Sequence, residues 1–371
     1  MTPLALPPPA ISIVAPVARE VSFGLVAGSV PVGTRRVIVR VGARVLADRP
    51  LRGRTFSLRL ELPRSEFDLR VIAMDARGRR STGFVRDVVG LPAAAAPRVF
   101  AGREDPELAR SVRALAAGFG TTSAIYVQDL GSGLGAGWNA AARFPAGSTL
   151  KLAIAVTVLA AHRDKPAAGS RLDRLLREML VDSDNAAANE LEVWLAGSTG
   201  AGSARVDETM AALGLRDSRM FGGYETPSLR LLAGLRPIPV RVESQPDFGL
   251  GKYTTAADLA LLARSIHLGA GGKGPLPRLG VTGAEARYLL WLLADVSDRG
   301  KLDRYLDSSS TVLHKAGWIA TARHDNGLVL WPGGAFVATV MTWRAAGAGT
   351  SSDVLAGRVA VEALARFREV G

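Results

Sequence analysis

Two residues spaced three apart raise the question of chemistry. In AGSTLKLAIAV, residues 146–156, Ser148 and Lys151 stand at the head of an apolar helical run. An i, i+3 spacing puts both side chains on one helix face. A serine hydroxyl is a weak nucleophile until a base takes its proton. A lysine amine that is desolvated and held near other cations loses enough basicity to be that base, whereas arginine cannot be deprotonated in a protein. Only six of the 46 basic residues are lysine: Lys151, Lys165, Lys252, Lys273, Lys301 and Lys315. Where charge alone suffices this chain uses arginine, so each lysine is worth inspecting. Taken alone, the pair equally suits a polar helix start, with Ser148 as N-cap and Lys151 reaching to solvent.

Two further clusters carry polar groups. In VDSDNAAANELEVWL, Ser183, Asp184 and Asn185 lie between two helical runs. Each is a favoured N-cap, but three in a row exceed what one cap needs. A catalytic reading has Ser183 pass a proton and Asn185 hold a substrate amide and Lys151. Asp184 then turns inward to fix the loop. In LHKAGW, Lys315 precedes Ala316 and Gly317 at the start of strand residues. A lysine there can bind a substrate carboxylate, and a glycine two residues on lets a ligand backbone approach closely.

Together the three clusters resemble the SxxK, SDN and KTG signatures of serine β-lactamases and penicillin-binding proteins. They stand in the same order as Ser148-Thr-Leu-Lys151, Ser183-Asp-Asn185 and Lys315-Ala-Gly317. SAIYVQDLGSG…WNAAARFPAGSTLK, SDNAAANEL, YTTAADLALLAR and HKAGW…DNGLVLWPGGAFVATVMTW are similar to successive stretches of class A β-lactamases. The likeness covers about residues 98–371. It implies an α/β catalytic domain with a mostly antiparallel five-stranded sheet flanked by helices, plus an all-helical subdomain. It implies a serine hydrolase with no metal and no cofactor. By position Ser148 is the nucleophile, Lys151 the base for acylation, and Ser183 a proton shuttle near Lys315. Asn185 binds the acyl side-chain amide. The backbone N–H groups of Ser148 and Trp318 form the oxyanion hole. The expected substrate is a small β-lactam or a D-Ala-type peptidoglycan peptide. Hydrolysis of a β-lactam is the first reading, a slowly deacylating D,D-peptidase the second, and a non-catalytic cell-wall binding or sensor protein the third.

Three departures bear on these roles. Ala316 replaces the usual threonine, removing a hydroxyl bond to a substrate carboxylate worth about 1 kcal/mol or somewhat more. Only 35 positions separate Ser148 from Ser183, so part of one rim is missing and a more open site is expected. The E-x-x-L-N motif that supplies a deacylating base has its nearest counterpart in FGGYETPSL, where Glu225 follows Tyr224 but Ser228 and Leu229 replace the Leu-Asn pair. Glu225 is the candidate base, and a surface loop carboxylate is the alternative.

The elements that must position these residues follow from the patterning. Residues 1–9 form an N-terminal extension. Residues 10–91 read as a small immunoglobulin-like sandwich: TFSLRLEL alternates strictly, with turn signals at Gly42, Pro63 and Gly78. PAAAAP, residues 92–97, reads as a linker, and 98–371 as the hydrolase domain. EDPELARSVRALAAGF, LKLAIAVTVLAAH, RLDRLLREML, AAANELEVWLAG, TTAADLALLARSIHLG and SDVLAGRVAVEALARF read as helices. SAIYVQDL, GAGWNAA, NGLVLW and FVATVMTW read as strands, with Asp325 and Asn326 as a hairpin turn between the last of them. His314 reads as a strand residue facing away from the site.

Composition excludes several functions. With no cysteine, disulfides and thiolate chemistry are ruled out. The four histidines have no metal-ligand spacing, and no G-x-S-x-G surrounds a serine. The net charge of +12 is spread arginine without basic runs interleaved with aromatics, so nucleic acid is not an expected partner. No apolar run is long enough to span a membrane, and MTPLALPPPAISIVAP does not read as a signal peptide. A monomer without stable membrane insertion is expected, working outside the cell or in its envelope as the resemblance implies.

Overall fold

The computed structural model describes residues 11–224 and 251–370. The chain divides into two compact units, Met1–Ala96 and Pro97–Gly371. The first carries strands β1 Ser12–Ala15, β2 Glu20–Ser22, β3 Leu25–Ser29, β4 Thr34–Val41, β5 Arg44–Pro50, β6 Thr55–Arg59, β7 Phe67–Asp75 and β8 Arg80–Gly90. They form a three-stranded sheet, β1-β3-β6, and a five-stranded sheet, β2-β8-β7-β4-β5. Alternation decides which side chains are inward: Phe56, Val37, Val39, Leu69 and Val71 are buried in one cluster, while Thr55 and Ser57 stay exposed.

The second unit begins with β9 Arg103–Glu104 and α1 Pro106–Phe119. Asp105 caps α1 by accepting from the Glu107 and Leu108 amides, with Pro106 at the first position. There follow β10 Thr122–Asp129, β11 Leu134–Trp138, β12 Phe144–Pro145, α2 Lys151–His162, α3 Arg171–Val181, α4 Asn185–Ala196 and α5 Thr199–Leu213. After the segment 225–250 come β13 Tyr253–Thr254, α6 Ala256–Ala270, α7 Gly283–Ala294, β14 Thr311–Ile319, β15 Ala322–Trp331, β16 Gly334–Trp343 and α8 Ser351–Val370.

The central sheet has the order β14-β15-β16-β10-β11-β9. It therefore has six strands rather than five: five pair antiparallel, and the two-residue β9 adds a parallel edge against β11. Leu108 and Val112 of α1 and Val359, Leu364 and Phe367 of α8 pack into one cluster with Ile125, Val127, Phe336 and Val340 of the sheet. Helix α6 packs on β10, β15 and β16 outside that cluster, and α2 is surrounded by α3, α4 and α5.

Asp325 and Asn326 do not form a turn. They lie within β15, paired with Ala316 and Lys315, and both are buried. The Asp325 carboxylate meets His314 Nδ1 at 2.8 and 2.9 Å and accepts from the Leu302 amide. Asn326 accepts from Thr339. Those partners hold the Asp325 carboxylate and the Asn326 Oδ1 within the strand, although both residue types more often favour turns. The hairpin instead turns at Ala320 and Thr321. No described helix is long and apolar enough to cross a membrane.

Candidate active site

The nucleophile candidate is placed by a turn, not by the helix itself. Helix α2 starts at Lys151, and Ser148 sits one turn earlier, its carbonyl accepting from the Lys151 amide at 3.2 Å. Nine consecutive residues of α2, Lys151 to Leu159, are buried. A helix apolar on every side is a core element, so it carries the Lys151 stem into the interior; Lys151 is fully buried. Ser148 is half-buried and lines a cleft of about 680 Å³ with Ser183, Asn185, Tyr224, Lys252 and Trp318.

Four of the expected residues converge on that cleft wall. Lys151 Nζ donates to Asn185 Oδ1 at 2.7 Å and to the Ser183 carbonyl, and lies 3.5 Å from Ser183 Oγ. From the opposite side Lys315 Nζ donates to Ser183 Oγ at 2.8 Å. One hydroxyl thus lies between two lysines. Ser183 is held at φ 60°, in the left-handed region that a non-glycine residue rarely occupies. That turn presents its carbonyl to Lys151 and its Oγ to Lys315, so the backbone strain coincides with the convergence. Asp184 does not face inward. It is exposed and caps α4 by accepting from the Ala187 amide at 2.6 Å, which fixes the loop from outside.

Burial and charge act together on the amines. Burial first, then the Lys315 cation, lowers the Lys151 pKa to about 7, with Lys252 adding to the effect and Asp184 opposing it. Burial lowers Lys315 to about 8, against the Asp298 and Asp325 carboxylates. Lys151 is therefore a buried amine of lowered pKa rather than a snorkelling surface cation.

The strand β14 approaches the nucleophile turn closely. A Cβ on Gly317 would lie 2.7 Å from both the Ser148 and Thr149 amides, and one on Gly147 would lie 3.0 Å from the Trp318 amide. Glycine at both places lets the two backbones meet. Among the described residues the Ser148 amide has no acceptor. Ala316 is buried, whereas Trp318 is 62% exposed and joins Ile319 on the cleft rim. Glu225 lies outside the described residues.

Several residues at the site were not singled out in the sequence. Tyr224 is one: Lys151 Nζ and Lys252 Nζ stand 4.7 and 4.6 Å from its ring centroid. Asn189, one turn beyond Asn185 on α4, clamps the Tyr224 backbone by donating to its carbonyl and accepting from its amide. Burial pushes the Tyr224 phenol well above its usual range. His324 is another. Its Nδ1 accepts from the Thr342 amide, so Nε2 carries the proton and donates to the Pro145 carbonyl at 2.8 Å. Burial lowers its pKa to about 4, so it stays neutral while bracing β12 ahead of Ser148. The lysine count pointed to Lys252; nothing in the sequence distinguished Asn189 or His324.

Residues 107–168 and 162–367 match the Beta-lactamase enzyme family, more than half of the chain. The chain belongs to the Beta-lactamase enzyme family. Among solved structures it is similar to PBP-A, with 20% identity, a TM-score of 0.56, and coverage of 73% of this chain and 100% of that one. A PBP-A mutant has been solved as an acyl-enzyme complex with penicillin G, at the same identity and TM-score. A β-lactamase from Streptosporangium roseum is 20% identical, with a TM-score of 0.55 over 71% of this chain and 100% of that one. One from Sphaerobacter thermophilus DSM 20745 is also 20% identical, with a TM-score of 0.53 over 72% and 99%. These likenesses speak to the fold. A search of curated proteins finds no match. At the level of the family, the second unit is a serine β-lactamase-like hydrolase domain with the β-lactamase/transpeptidase α/β fold.

Proposed function

We propose that the protein hydrolyses β-lactams through an acyl-enzyme on Ser148. The observation that carries this reading is the convergence of Lys151, Ser183, Asn185 and Lys315 on the wall of the cleft that Ser148 lines. Neutral Lys151 takes the Ser148 Oγ proton as Oγ attacks the lactam carbonyl. The amides of Ser148 and Trp318 receive the developing oxyanion, brought together by the close approach at Gly147 and Gly317. The C–N bond then breaks, and the leaving nitrogen takes a proton from Ser183 Oγ, which regains one from the lysines beside it. Asn185 holds the amide of the acyl side chain. Lys315 supplies the positive field for a substrate carboxylate, without a hydroxyl at Ala316. Water hydrolyses the ester with Glu225 as base.

One observation favours a second reading, a penicillin-binding D,D-peptidase-like enzyme with slow deacylation. Among the described residues, the group that the loop before residue 225 presents to Lys151 is the Tyr224 ring, and in the sequence Ser228 and Leu229 replace the Leu-Asn pair expected after a deacylating glutamate. Its natural substrate would be a D-Ala-type peptidoglycan peptide. Either substrate class puts the reaction outside the cytoplasmic membrane, and the first unit, read as immunoglobulin-like, then serves as a spacer or wall-binding module.

Intact mass after mixing with benzylpenicillin, sampled from seconds to hours beside nitrocefin turnover, separates the readings. A transient adduct with turnover, prolonged in Glu225→Gln, supports the lactamase with that base. A lasting adduct without turnover, unchanged in Glu225→Gln, supports the second reading.

A further inference from the structure

The Lys252 side chain lies in the cleft wall although no role in the chemistry above requires it. Its backbone carbonyl accepts from the Ala146 amide at 2.9 Å, at the entrance to the nucleophile turn. Its Nζ donates to the carbonyls of Phe221 at 3.0 Å and Gly223 at 2.6 Å. The same Nζ stands 4.6 Å from the Tyr224 ring centroid, and Lys151 Nζ stands 4.7 Å from that centroid. The two amines are thus no more than about 9 Å apart, within about a Debye length of each other, with an aromatic ring close to each. A cation near a ring face is attracted to it, but two cations sharing one ring still repel each other.

We propose that Lys252 is a positioning residue that keeps Lys151 competent as the base, by holding a second cation and the Tyr224 ring against it. The proposal rests on the reading of Lys151 as the base for acylation. Among the described residues, the other charged groups around Lys151 are Lys315 from β14, which acts in the same direction, and Asp184 at the head of α4, which opposes it. Among the described residues, the counter-charge around Lys252 is Glu192 of α4, itself hydrogen-bonded to Ser203 and close to Asp207 of α5. Burial raises the Glu192 carboxyl, which weakens it as a permanent counter-ion. Lys252 therefore does two things at once. Its hydrogen bonds seat the loop that carries Tyr224, and its charge disfavours protonation of Lys151.

A merely structural tether would need only the hydrogen bonds. Lys252→Gln keeps a donor for the loop carbonyls and removes the charge; Lys252→Met removes both; Lys252→Arg keeps a charge. The first readout is the pH dependence of acylation by benzylpenicillin. In Lys252→Gln and Lys252→Met the acid limb should move up by roughly half to one pH unit. Acylation at pH 6 then slows roughly 3- to 10-fold, while the rate at pH 9 stays within about twofold of the parent. Lys252→Arg should restore the parent midpoint. The second readout does not depend on activity: 13Cε-lysine labelling gives six signals, and Lys151→Met assigns the Lys151 resonance. Its titration midpoint should rise in Lys252→Gln and return in Lys252→Arg. An unchanged midpoint in folded Lys252→Gln, or an equal rate loss at every pH, overturns the proposal. A protein that forms no adduct at all overturns the acylation reading, while the titration of Lys151 still decides the role of Lys252.

Discussion

If Lys151 is the base, the rate of acylation must follow its neutral fraction. Its pKa is lowered to about 7 by burial and by the Lys315 cation. The amine is then about 1% neutral at pH 5, about 9% at pH 6, about half at pH 7 and about 90% at pH 8. The direction is that of a base: activity is lost as pH falls through the midpoint. Stopped-flow acylation under single-turnover conditions should rise roughly 50-fold from pH 5 to 7, then less than about twofold from pH 7 to 9. Lys151→Arg places a guanidinium that does not deprotonate in the same network. It should reduce acylation by roughly 10²–10⁴-fold and flatten the profile. A rate climbing tenfold per unit beyond pH 9 would mean an ordinary lysine and refute the reasoning. So would a Lys151→Arg variant that keeps the parent profile.

Two further substitutions test the frame around the site. Gly317→Ala would put a Cβ 2.7 Å from the Ser148 and Thr149 amides; separating β14 from the turn should cost roughly 100-fold in acylation, read by the same assay, if those backbones hold the proposed oxyanion donors. Asp325→Ala strips the buried His314 ring and the Leu302 amide of their acceptor. It should destabilise the second unit by about 3 kcal/mol, read as a lower midpoint in urea unfolding.

Local rules reached different parts of this structure unequally. Helix α2 was legible because an apolar run of that length has few alternatives, and Thr255 and Pro106 marked their helix starts as capping chemistry requires. Helix α7 carried a visible signal that was missed: Thr282 and Glu285 form a capping box. Helix α5 was obscured because its glycines, serine and threonines lower helix propensity, and packing against α2 and α4 overrides that preference. Asp325 and Asn326 were misread because turn propensity carries no knowledge of a buried histidine two strand positions from Ala316. Asp184 was expected inside because its neighbours are, yet the cap it makes needs only an exposed carboxylate. The convergence of Lys151, Ser183, Asn185 and Lys315 was legible as three motifs, since each brings its own side-chain chemistry. The clamp of Asn189 on Tyr224 spans 35 positions and leaves no local pattern. The same holds for His324 reaching Pro145 across 179 positions.

Peptide mapping of the benzylpenicillin-treated protein tests the central claim most directly. The claim predicts one penicilloyl mass, carried on the peptide that contains Ser148, and none in Ser148→Ala. An adduct on another residue, an adduct that survives Ser148→Ala, or no adduct from any β-lactam would contradict it.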